Sequence, residues 1–285
     1  MSTSILFVIF FILLPHLFVS HGFPDDRRNG YCDRVRDGEF NDDNRVPPHD
    51  AAQTIAERGR PQDPLLVLMA SALLGPAAWE PVAHRLTDRG WDVTVAPHAS
   101  EPAPRTAADA LAAYLGAVPS WRPVLLVPHS NAGNFVPALI AERNVVGVVF
   151  VDAVIPVDAG RQQLGTPEQL AALEPLVDEP GTLPPWSSWF DPADVDSLFP
   201  DPATRSRIEA AQPRLPLSYL RDGIEVRAGW TSTPAGYLAF GDTYAPERER
   251  ARAQGWPVST VVGGHLHMVV DPGRVAAEIV ALAQL

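Results

Sequence analysis

The sequence predicts an α/β protein with a mostly parallel, doubly wound sheet and a helical cap inserted late in the chain. Three observations carry this. From Pro64 onward, short apolar runs alternate with amphipathic stretches, the rhythm of β-α-β units. The apolar runs lack a polar face, as expected of strands covered by helices on both sides. A Pro-rich segment from about Pro156 to Pro234 interrupts that rhythm between two strands.

The strands are expected over 65–69, 91–96, 124–127, 145–151, 236–240 and 257–262. The intervening helices are expected over 79–89, 106–116, 131–143 and 246–254, with a last one opening at Asp271-Pro272. Asp at the N-cap and Pro in the first turn set that last start. Thr106 with Asp109 three residues on is a weak capping box. An insertion the size of 156–234 usually lies over the carboxyl ends of the strands, where ligands bind. We read it as a mostly helical cap whose Trp186, Trp189, Phe190 and Phe199 are packing or pocket residues.

The domain layout expected is a leader over 1–22, a flexible linker over 23–60 and one globular domain over 61–285. The leader holds the apolar run Ile5 to Val19, short for a membrane span and broken by Pro15 and His16. It reads as a secretory signal peptide without a basic n-region, or as an uncleaved anchor; without a genuine leader the protein is expected in the cytoplasm. Residues 23–60 are rich in Asp, Arg, Asn, Gly and Pro and offer little apolar surface to bury. Alanine is absent before Ala51 and abundant after it, and all 22 basic residues are arginine.

Charge and composition exclude several functions. A formal net charge of -12 disfavours nucleic acid and anionic membrane surfaces as partners. Cys32 is the one cysteine, so no intramolecular disulfide can form. His84, His98 and His129 lack metal-ligand spacing, and no glycine-rich phosphate loop follows a strand, so no metal or cofactor is expected. The expected partner is a small-molecule substrate, with no specific protein partner inferred.

The chemistry centres on Val127-Pro128-His129-Ser130-Asn131-Ala132-Gly133. An apolar strand ends, a sharp turn follows and a helix containing Pro137 begins. A serine in that turn is presented at the top of the sheet, beside helix N–H groups that can bind an oxyanion. Small residues two places either side of the serine let strand and helix approach; Ala132 fits this, whereas Pro128 departs from it, being larger, fixed in φ and without an N–H.

With this element in its strand–turn–helix context, the stretch from about Pro64 to Leu285 resembles the α/β-hydrolase fold family. The resemblance implies a serine hydrolase, esterase-like, with Ser130 as nucleophile. Gly263-Gly264-His265-Leu266-His267-Met268 looks like the loop that delivers the catalytic histidine. That match makes His265 the base, with His267 its competitor. The acid is expected at Asp242, at the end of the run Tyr237 to Tyr244; in many relatives it stands two residues further on, at Tyr244 here. Asp152, closing the strand after the nucleophile strand, is the alternative. The backbone N–H groups of Asn131 and Ala72 are the expected oxyanion donors, with Ala70-Ser71 standing where relatives carry His-Gly. The substrate class implied is an ester or similar acyl compound, small to medium and apolar. The competing readings are lyase or cyclase chemistry on the same scaffold, or a small-molecule binding protein with weak turnover.

Overall fold

The computed structural model describes residues 64–178 and 181–284. The expected leader, the linker and Cys32 lie outside the described residues. Among those residues no helix is long and apolar enough to cross a membrane.

The chain opens with β1 (Leu65–Met69), α1 (Glu80–Asp88), β2 (Val93–Ala96), α2 (Ala107–Ala117) and β3 (Val124–Ser130). A 3-10 turn over Asn131–Phe135 leads into α3 (Val136–Glu142), followed by β4 (Val145–Ala153). The segment between β4 and the next sheet strand holds β5 (Gly160–Gln163), α4 (Pro167–Leu173), α5 (Pro192–Asp196), α6 (Pro202–Ala211), α7 (Leu217–Arg221) and β6 (Gly223–Val226). The chain then returns through β7 (Ala235–Phe240), α8 (Ala245–Ala253), β8 (Val258–Val261), α9 (His267–Val270) and α10 (Pro272–Ala283).

The central sheet has the order β2-β1-β3-β4-β7-β8, and every pairing in it is parallel. Alternate residues divide between its faces. Val67, Met69, Leu126, Val148, Phe150 and Tyr237 pack with Tyr114 of α2 and Leu139 of α3. Leu66, Leu68, Val127, Val149, Val151 and Phe240 pack with Leu86 of α1 and Ile279 of α10. Both faces are therefore buried, which explains why the strands read as unbroken apolar runs.

The strand order reverses direction between β1 and β3, since β2 lies on one side of β1 and all later strands on the other. In open α/β sheets, the crevice beyond the strand ends at such a point is where ligands bind. Ser130 ends β3 at that point.

One local expectation is corrected. The helix expected over 131–143 divides into a 3-10 turn and α3, and Pro137 sits in the first turn of α3, where its missing N–H costs no helical bond. Beside its helices the cap holds a short strand pair. β5 and β6 pair antiparallel, Gly160 opposite Val226 and Gln163 opposite Gly223, and so bracket the segment at both ends. Gly223 lies so close to the Gln162 carbonyl that a Cβ would stand 2.6 Å from it.

Candidate active site

Ser130 has φ 56° and ψ -128°, a backbone conformation that L-residues rarely adopt. It is held there from both sides. The Val154 N–H donates to the Ser130 carbonyl at 3.1 Å. Three residues on, a Cβ on Gly133 would stand 2.0 Å from the Val154 carbonyl oxygen. Only glycine lets the turn after the serine approach β4 so closely. Pro128 sits within β3 opposite Met69, so the strand continues through it to the serine.

Asp152, at the end of β4, is the other non-glycine residue at positive φ among those described, at 42°. Its carboxylate is fully buried and has two partners. Oδ2 accepts from His265 Nδ1 at 2.7 Å, and Oδ1 accepts from the Phe240 N–H at 3.1 Å. Tyr237 braces this strand end, its hydroxyl accepting from the Ala153 N–H at 3.1 Å and donating to the Ala153 carbonyl at 2.9 Å. Burial pushes the Asp152 carboxyl above its ordinary value, against the opposing pull of the His265 ring. With its proton on Nδ1, His265 keeps the Nε2 lone pair free for the rest of the site.

Asp242, the acid expected from the sequence, is not brought to His265. Its side chain is 59% exposed and pairs with Arg248 at 2.9 Å. The turn at Gly241 directs it to the surface, while β4 runs under His265 and delivers Asp152. The competitor His267 also lies apart. Its ring packs over Gly263 and against the Phe240 ring, centroids 5.6 Å apart. His265, and not His267, lines the cavity described below.

His129 carries a role that its sequence context did not signal. It is buried, stacks on His265 with ring centroids 4.5 Å apart, and donates from Nε2 to the His265 carbonyl at 3.0 Å. It thus holds the His265 loop from beneath. Burial, then the neighbouring His265 ring, holds its pKa well below the ordinary histidine value. The unfolded chain therefore takes up a proton more readily than the folded one. The stability from a neutral His129 is complete above the unfolded value of about 6.5 and is lost as the pH falls below it. His129→Gln, whose amide can still donate, should remove up to about 1.4 kcal/mol of this loss per pH unit. Urea denaturation at pH 7.5 and pH 5.5 checks it; equal losses in wild type and variant would contradict the assignment.

The residue after the serine joins the elbow to the cap. The Asn131 side chain accepts from the Tyr219 hydroxyl of α7 at 2.8 Å and donates to the Leu164 carbonyl at 3.1 Å. Its backbone N–H begins the 3-10 turn and has no carbonyl within that turn to bond. The loop after β1 is pinned from opposite faces. Trp79 Nε1 donates to the Met69 carbonyl at 3.1 Å, and the Tyr114 hydroxyl to the Ala70 carbonyl at 2.6 Å. Ser71 Oγ accepts from the Leu73 N–H at 3.3 Å and tightens the turn around Ala72. Leu73 reaches the wall of the cavity.

A cavity of about 440 Å³ opens above Ser130 and His265. Its walls combine Leu73, Ile155, Leu164, Trp186, Trp189 and Phe190 with the amides of Asn134 and Gln162, and Glu247 stands at its edge. Most of the aromatic wall comes from the segment between β4 and β7.

No family model and no curated protein matches the sequence. Solved structures do match. An extracellular α/β-hydrolase from a Paenibacillus species is 18% identical, covers 77% of this chain and 99% of its own, with a TM-score of 0.61. A pyrethroid hydrolase from Sphingobium faniae is 17% identical, covers 78% and 97%, with a TM-score of 0.55. Tomato methylketone synthase I is 15% identical, covers 78% and 98%, with a TM-score of 0.54. The chain has the α/β-hydrolase fold.

Proposed function

We propose that the protein is a serine hydrolase that cleaves an ester or similar acyl bond of a small to medium apolar substrate. One observation carries the reading: a strained serine and a buried, carboxylate-bound histidine open onto the same largely apolar cavity. Ser130 is the nucleophile, His265 the general base and then acid, and Asp152 the group that orients the imidazole and stabilises its charge. The N–H groups of Asn131 and Ala72 bind the oxyanion. A covalent acyl-enzyme forms and is hydrolysed. The similarity to solved hydrolases lends the reading support through the fold they share.

The cavity wall sets the expected preference. Each methylene buried against Leu73, Trp186 and Phe190 contributes about 0.8 kcal/mol. For p-nitrophenyl esters, kcat/KM should therefore rise about fourfold per added methylene until the cavity is filled. Hydrolysis that saturates with substrate and follows this series supports the proposal. Folded protein inert toward every ester in the series would refute it.

A further inference from the structure

The oxyanion donors and the buried Asp152–His265 pair leave one polar group near the serine unused. Tyr244 follows β7 and caps α8. Its ring lies tilted against His265, centroids 5.5 Å apart, and lines the cavity. Its hydroxyl is 3.4 Å from Ser130 Oγ, and this is the hydrogen bond that the serine hydroxyl makes. A ring alone would fill this wall. A hydroxyl in it needs a partner to offset its desolvation, and here the partner is the reacting atom.

We propose that Tyr244 is a catalytic residue whose hydroxyl donates to Ser130 Oγ whenever that oxygen carries developing negative charge. The inference rests on the serine-hydrolase reading. In acylation, the Ser130 proton passes to His265 Nε2 as the Oγ–carbon bond forms, and the carbonyl electron pair moves to the oxyanion. The leaving group then departs with the proton from His265. In deacylation, water gives a proton to His265 as it adds to the acyl carbon. The carbon–Oγ bond breaks, and Oγ leaves with the electron pair before it takes the proton back from His265. Oγ is electron-rich in both halves, and the Tyr244 O–H points its dipole at that atom in each. Tyr244 keeps its own proton throughout. Burial raises its pKa; the Ser130 contact opposes this, and the nearby Asp152 and Glu247 carboxylates add to the rise. The present contact is longer than the usual O–H···O distance of about 2.7–2.8 Å, and it should shorten as charge grows on Oγ.

The test is the second-order rate at which a fluorophosphonate labels Ser130 in wild type and in Tyr244→Phe. The variant should label about ten- to a hundredfold more slowly, the usual worth of a hydrogen bond to a charged group. The same loss should appear in kcat for a p-nitrophenyl ester, with KM little changed and no pH dependence of the ratio between pH 6 and 9. A variant that labels within about twofold of wild type overturns this inference alone. A wild type that does not label overturns it together with the hydrolase reading. Should Tyr244→Phe fail to fold, 3-fluorotyrosine at position 244 supplies a more acidic donor of nearly the same size. That substitution should raise the labelling rate, and an unchanged rate overturns the inference.

Discussion

Ser130→Ala is expected to lower kcat for a p-nitrophenyl ester about a millionfold, and His265→Ala by nearly as much. The double variant should be no worse than either single one. Serine and histidine act as a unit: without the imidazole the hydroxyl keeps its proton, and without the hydroxyl the imidazole has nothing to deprotonate. Residual turnover should persist from the oxyanion donors and the cavity alone. His267→Ala is the control. Its ring packs on Gly263 and Phe240 away from the cavity, so kcat should stay within about threefold of wild type. Loss of activity in His267→Ala with retention in His265→Ala would reverse the assignment of the base.

Asp152→Asn should lower kcat about ten-thousandfold, whereas Asp242→Asn should leave it nearly unchanged. The size of the first effect follows from the two bonds that the carboxylate accepts. An asparagine has a single carbonyl oxygen, and the Phe240 N–H and His265 Nδ1 both demand an acceptor. If the oxygen stays on Phe240, the amide NH₂ faces Nδ1. The ring must then accept there and carry its proton on Nε2, where it can no longer take one from Ser130. Asp242 makes a surface pair with Arg248 that solvent largely screens, so its loss reaches neither His265 nor the cavity. Equal damage from both substitutions, or greater damage from Asp242→Asn, would contradict the geometry.

These two aspartates are told apart by tertiary contacts and not by local sequence. Strands buried on both faces announce themselves as apolar runs, and β1 is found where expected, at Leu65–Met69. The turns that carry Ser130 and His265 leave a local signature in the sequence. A Gly at position 133 is forced by the approach to Val154, and a glycine pair leads into the histidine loop. The acid has no such local signature. Asp152 sits near the end of β4 and Asp242 two residues past β7, and nothing beside either in the sequence records that Asp152 is the one that meets His265. The same holds for His129, Asn131 and Tyr244. Their side-chain partners lie 136, 88 and 114 residues away, so nothing near them in sequence records the contact. The β5–β6 pair was missed for a further reason: Gly160–Gln163 is a polar, mostly exposed strand without apolar alternation.

Ser130, as proposed, is a nucleophile activated by a histidine in this cavity. Fluorophosphonate treatment of the folded protein, followed by peptide mapping in a mass spectrometer, tests it most directly. One phosphonyl adduct per chain is expected, on the peptide carrying Ser130, and none on Ser130→Ala. An adduct on another residue, or none on folded wild-type protein, would contradict it.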